Sequence, residues 1–125
     1  MARLVRTIAI VDDEASVRGA IGRLLRLQGY AVTSFASGEE LLASLATKLP
    51  SCLVLDIHLP GLSGFDVERR LREEQREIPI VFVTASDDPA LIRTALDAGG
   101  ARLLRKPFSS DALIESIEAA LENRV

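Results

Sequence analysis

The stretch Ser51-Cys52-Leu53-Val54-Leu55-Asp56-Ile57-His58-Leu59-Pro60-Gly61 decides how the chain is read. Four apolar residues run directly into an aspartate, and a proline-glycine turn follows. The run is too short for a helix and suits a strand buried on both faces. A carboxylate at the end of such a strand is costly unless something compensates it. The rest of the sequence supplies both the sheet around that strand and the compensation.

Working outward, the same grammar repeats. Val5 to Val11 is a mostly apolar, β-branched run, expected to be the first strand. Glu14 to Gln28 carries Val17, Ile21, Leu24 and Leu25 at helical spacing, and Gly29 suits the position that closes a helix. Tyr30 to Phe35 is a more polar second strand. Ser37-Gly38-Glu39-Glu40 resembles a capping box opening a helix whose Leu41, Leu42, Leu45 and Leu49 are expected to face inward. Ser51 to Asp56 is the third strand. Ser63-Gly64-Phe65-Asp66 caps a helix running to about Gln75, whose charged residues mark a solvated face. Pro79 to Thr84 is the fourth strand. Asp88-Pro89 starts a helix that ends near Gly99-Gly100, Ala101 to Arg105 is the fifth strand, and Ser109 or Ser110 caps a last helix.

Five strand-helix units with short connections predict an α/β fold: a doubly wound, parallel, five-stranded sheet. The first, third and fourth strands are the most apolar and belong in the centre. The order 2-1-3-4-5 follows, the flavodoxin-like arrangement. At 125 residues the chain is expected to be a single domain, 1–125.

Composition narrows the function. Apolar residues make up 48% and charged residues 26%, and the net charge is −3 without a basic run. That argues against direct nucleic-acid binding. The single cysteine, Cys52, permits no internal disulfide and reads as a small buried hydrophobe, which suits a reducing, cytoplasmic setting. Neither a signal peptide nor a membrane span is expected.

In a parallel sheet the strand ends share one rim, and ligands bind there at the switch point between the first and third strands. The first strand ends in Asp12-Asp13, the third in Asp56, the fourth in Thr84 and the fifth in Lys106-Pro107. Three carboxylates on two adjacent strand ends repel, and a hard divalent cation such as Mg²⁺ removes the difficulty. Lys106 adds a cation and Thr84 a hydroxyl. These are the parts for phosphoryl transfer through an aspartyl phosphate. Asp56, before a sharp turn, is the candidate nucleophile. Asp12 and Asp13 are the candidate metal ligands, and a backbone carbonyl just past the nucleophile, such as that of His58, completes the set. Taken singly, Asp12-Asp13 reads as a helix cap, Thr84 as a strand end and Lys106 as a solvated lysine; their shared rim favours the functional reading. The His58 side chain is expected beside the site, since Mg²⁺ takes oxygen ligands.

Together Asp12-Asp13, Leu55-Asp56, Pro60-Gly61 with Gly64, Thr84-Ala85 and Lys106-Pro107-Phe108 resemble the receiver domain of bacterial two-component response regulators, over essentially the whole chain. The resemblance implies that Asp56 accepts a phosphoryl group from a phosphohistidine on a sensor histidine kinase. It implies that Asp12, Asp13, Asp56 and the His58 carbonyl hold Mg²⁺, that Lys106 pairs with the phosphoryl group, and that Thr84 moves to bond it. It also implies a cis peptide at Lys106-Pro107. The family usually carries an aromatic switch residue three positions before the lysine, where this chain has Leu103; a muted rotamer change or backbone movement in the Thr84–Asp88 loop must replace the aromatic flip. The segments VLDIHLPGLSGFD and RKPFSSDAL lean toward the FixJ/NarL-like class.

The expected role is a phosphorylation-controlled interaction module, with at most self-catalysed phosphotransfer and autodephosphorylation. The expected partners are the kinase and an output domain or downstream protein. A homodimer through the fourth helix and fifth strand, using Arg93, Asp97, Arg102 and Arg105, is a further expectation. The alternatives are a Mg²⁺-dependent phosphohydrolase, which lacks a second Asp at position 58, and a degenerate receiver that works without phosphorylation. The end at Val125 fits a single-domain regulator or the receiver of a longer protein.

Overall fold

The computed structural model describes residues 5–98 and 102–122. The elements are β1 (Thr7–Val11), α1 (Ala15–Leu27), β2 (Ala31–Phe35), α2 (Gly38–Ser44), β3 (Cys52–Asp56), α3 (Gly64–Glu73), β4 (Ile80–Thr84), α4 (Pro89–Asp97), β5 (Arg102–Arg105) and α5 (Ser110–Glu122). The five strands form one sheet in the order β2-β1-β3-β4-β5, and every pairing is parallel. Every residue of β1, β3 and β4 is buried, whereas β2 and β5 are partly exposed, as edges should be.

Within the continuous apolar runs, alternate residues still serve opposite faces. Ile8, Ile10, Cys52, Val54, Val81, Val83 and Leu104 meet Ile21 and Leu25 of α1 and Leu113 and Ile117 of α5. Ala9, Val11, Leu53, Leu55, Ile80 and Phe82 meet Leu41 of α2, Val67 and Leu71 of α3, and Ala95 of α4. This parity reaches the rim. Asp12, Asp56 and Lys106 each stand two residues beyond a side chain of the first layer, so they leave the sheet on the same side. Thr84 stands two residues beyond Phe82, on the side of the second layer.

Helix ends follow local chemistry. The Ser63 hydroxyl accepts from Asp66 N, and an Asp66 oxygen accepts from Ser63 N, a complete capping box. Ser109 caps α5 by accepting from Ala112 N at 3.0 Å. Gly29, at φ +93°, closes α1. Two expectations fail at α2. Ser37 caps it by accepting from Glu40 N, but the Glu40 carboxylate lies 3.4 Å from the Ser37 hydroxyl and does not complete the box. The helix then stops at Ser44, so Leu49 lies in the connection to β3 and is 50% exposed instead of facing inward. The expected end of the fourth helix at Gly99-Gly100 and the start of the fifth strand at Ala101 lie outside the described residues.

Candidate functional site

The acidic cluster forms where β1 and β3 end side by side. Val11 is registered against Leu55, so the next residues, Asp12 and Asp56, are neighbours. Both are buried, at 2% and 6% exposure, while Asp13 is exposed. One carboxylate oxygen from each of Asp12, Asp13 and Asp56 lies within 4.8 Å of the others. Lys106 reaches across from the end of β5. Its Nζ donates to Asp12 Oδ2 at 3.0 Å and to Asp56 Oδ2 at 3.4 Å. The peptide that follows it, Lys106-Pro107, is cis.

The turn after β3 needs close backbone approach. A Cβ on Gly64 would stand 2.5 Å from the Asp56 carbonyl oxygen and 2.8 Å from Ile57 Cα, distances no side chain tolerates. The glycine lets Gly64 N donate to Ile57 O at 2.9 Å, which folds the start of α3 back over the acidic strand end. Gly61 takes φ +74°, which favours a residue without Cβ. Leu62 N then meets a Glu39 oxygen from α2 at 3.4 Å, fastening this loop to its neighbour.

Burial is the largest influence on Asp56 and raises its pKa. The Lys106 charge and the hydrogen bond from His58 N pull it down, and Asp12 pushes it up; the net direction is upward. For Lys106, burial works against the charged form, but the hydrogen bond to Asp12 and the charges of Asp56 and Asp12 outweigh it, so its pKa rises. One ammonium therefore faces three carboxylates, and the cluster keeps a negative excess. An all-oxygen donor set with that excess fits a hard divalent cation. His58 contributes its backbone N–H, 3.1 Å from Asp56 Oδ1, while its side chain is exposed beside the site.

Thr84 is fully buried but is engaged elsewhere. Its backbone carbonyl accepts from Lys106 N at 2.8 Å. Its hydroxyl accepts from Ser86 N at 3.0 Å, the Ser86 hydroxyl from Asp88 N at 3.1 Å, and an Asp88 oxygen from Ala90 N at 3.0 Å. Three side chains in alternate positions thus connect the threonine to the first turn of α4. Leu103 is partly buried against the second core layer, on the same side of the sheet as Thr84.

The structure thus joins Asp12, Asp13, Asp56 and Lys106 directly, and Thr84 through its backbone. Two participants escaped the sequence reading. Arg18 Nη1 donates to the Asp12 carbonyl at 2.7 Å, and Glu39 fastens the loop after Asp56. Arg18 sits six residues after Asp12, which alone suggests nothing more than a charged position on a helix.

A family model for the response regulator receiver domain matches residues 8–118. The chain is 37% identical over 115 residues to nodulation protein W of Bradyrhizobium diazoefficiens, covering 92% of this chain and 51% of that protein. It is 36% identical to response regulator protein TodT of Pseudomonas putida, again covering 92% and 51%. The chain therefore spans about half the length of these curated relatives. A solved response regulator receiver protein from Burkholderia phymatum superposes with a TM-score of 0.82 at 41% identity, covering 94% of this chain and 95% of that one.

Proposed function

Because the chain belongs to the response regulator receiver domain family, a family of phosphoacceptors, we propose that Asp56 is its phosphoryl acceptor and that a sensor histidine kinase is the donor. The observation that carries this reading is the approach of Lys106 Nζ to Asp56 Oδ2 at 3.4 Å, with Asp12 and Asp13 alongside. In the transfer, an Asp56 oxygen forms a bond to phosphorus as the bond from phosphorus to the donor's imidazole nitrogen breaks, and that nitrogen keeps the electron pair. Lys106 offers its ammonium to the oxygens of the arriving group. Asp12, Asp13, Asp56 and the backbone carbonyl of His58 would hold Mg²⁺, which when bound supplies positive charge for the phosphoryl oxygens. Hydrolysis of the product is at most self-catalysed.

The switch runs through Thr84. A hydroxyl that turns toward a phosphoryl group on Asp56 gives up its bond from Ser86 N. The links through Ser86 and Asp88 carry that loss to the cap of α4. Leu103 has no polar edge to follow the threonine, so the backbone of the Thr84–Asp88 loop takes over the role of the aromatic. The altered α4–β5 face, where Arg93, Asp97 and Arg105 are exposed, then meets an output domain, a downstream protein or a second copy of the chain. Among the described residues no helix is long and apolar enough to cross a membrane, which is compatible with a cytoplasmic place of work.

Incubation with Mg²⁺ and an acyl phosphate donor should add the mass of one phosphate. Asp56→Asn should abolish that gain, and retention of the gain in the variant would move the nucleophile elsewhere.

A further inference from the structure

Asp12 is held by every polar atom it has. Its N–H donates to Phe35 O at 3.1 Å, its Oδ1 accepts from Glu14 N at 2.9 Å, and its Oδ2 accepts from Lys106 Nζ at 3.0 Å. Its carbonyl lies past the end of β1 and before the start of α1, in the gap between two regular hydrogen-bonding patterns. Arg18 fills that gap. From the first turns of α1 its guanidinium reaches back six residues and donates to the Asp12 carbonyl at 2.7 Å. A guanidinium bond to a carbonyl is charge-assisted and directional.

That carbonyl belongs to the peptide joining Asp12 to Asp13. The peptide is planar, so fixing the direction of its oxygen fixes the direction in which the chain enters Asp13. Asp12 is buried and independently anchored, whereas Asp13 is exposed and lies in the short link to α1. The clamp therefore matters most for Asp13, whose carboxylate must stay near the other two. We propose that Arg18 is a positioning residue for the acidic pocket: it holds the Asp12–Asp13 peptide, and so the Asp13 carboxylate, in place for the cation. The proposal rests on the reading of this pocket as a Mg²⁺ site.

Charge and positioning predict opposite signs, which makes the idea testable. A nearby cation repels Mg²⁺, so if Arg18 acted only by its charge, Arg18→Met would tighten magnesium binding. If it positions Asp13, Arg18→Met loosens it. The experiment is a Mg²⁺ titration of wild type, Arg18→Met and Arg18→Lys, followed by the amide NMR signals of Asp13 and His58, with a thermal melt of each variant. Arg18→Met should require about tenfold more Mg²⁺ for half-saturation, the lower end of the range for losing a group that orients metal ligands. Arg18→Lys, which restores the charge and a donor, should recover most of that. In metal-free protein Arg18→Met should also shift the amides of Asp13 and Glu14 while leaving those of α5 in place. Unchanged or tighter binding in Arg18→Met overturns the proposal. If Arg18→Met melts too low to titrate, the milder neutral variant Arg18→Gln takes its place, and half-saturation at or below the wild-type concentration in that variant overturns the proposal. If wild type itself shows no response to Mg²⁺, the pocket reading fails, and the metal-free amide shifts still test the clamp separately.

Discussion

Helices α3 and α4 cover the same face of the sheet, yet they are held in different ways. α3 follows the strand that ends in Asp56. It opens on the Ser63–Asp66 capping box, buries Gly64, Val67 and Leu71, and ends with Gln75 at φ +57° while Arg76 N closes back on Leu71 O. α4 follows the strand that ends in Thr84. Its side-chain cap is a single bond from Ala90 N to Asp88, its one fully buried residue is Ala95, and it stops at Ala98 in an extended conformation. Little apolar burial and a single cap mark an element that opens locally at low cost. The contrast suits the division of labour. On the proposed function, the acceptor carboxylate must stay within fixed distances of its neighbours, whereas the segment proposed to report phosphorylation must have somewhere else to go.

The largest expected effects test the packing half of this contrast. Leu71 of α3 is 2% exposed, and Leu96 of α4 is 58% exposed. Leu71→Ala should cost about 2–5 kcal/mol, the range for emptying a buried leucine site. Leu96→Ala should stay within about 0.5 kcal/mol, as exposed substitutions do. Urea unfolding of the two variants side by side measures both. Comparable losses would mean that α4 is packed as firmly as α3, and the contrast would collapse.

Matched cap removals probe the difference at smaller amplitude. Ser63→Ala and Asp88→Ala each remove an N-cap worth about 1 kcal/mol. On α3 that loss belongs to the global unfolding unit and should lower the urea midpoint. On α4 it should appear mainly as faster amide hydrogen exchange within Pro89–Asp97, with a smaller change in midpoint. Asp88→Ala also cuts the last link of the chain that begins at Thr84. If it moves the midpoint as far as Ser63→Ala does, α4 unfolds with the core and is no independent reporter.

Most of the fold was legible because the strands are short, apolar and bounded by turn residues. CLVLD could be read as a buried strand, and parity then carries the reading further than the pattern of apolar residues alone. Asp12, Asp56 and Lys106 share the side of the sheet used by Ile10, Val54 and Leu104, so their meeting follows from register. The same rule, applied to Thr84, separates it from the carboxylates and places it near Leu103. Other features were hidden because they depend on where a flexible side chain lands. Arg18 binds a backbone oxygen, an acceptor that every residue offers and no motif marks. The chain through Ser86 and Asp88 uses residue types that suit any turn. Leu49 looked like one more turn of an amphipathic helix, but α2 ends at Ser44 and the leucine falls in the connection before Pro50.

The smallest effect lies at the proposed acceptor, Asp56, in metal-free protein. Asp56 has a raised pKa mainly because it is buried. The folded state therefore holds that proton more tightly than the unfolded chain does. The stability this provides is complete below the unfolded-state pKa and is lost as pH rises through the folded-state value. Lys106 is also raised, but its contribution is lost only in alkaline solution and adds no slope between acid and neutral pH. At neutral pH the wild type carries the cost of an ionised, buried Asp56, and Asp56→Asn does not. The variant also leaves Lys106 paired with Asp12 at 3.0 Å. Its urea midpoint should exceed that of wild type at neutral pH, and the gap should close as pH falls into the ordinary carboxylate range. Adding Mg²⁺ should raise the wild-type midpoint and narrow the gap from the other side. A variant less stable than wild type at neutral pH would mean that the Lys106 contact outweighs burial. The firmly held side of the molecule would then store no charge cost for a cation to relieve, and its rigidity would need another explanation.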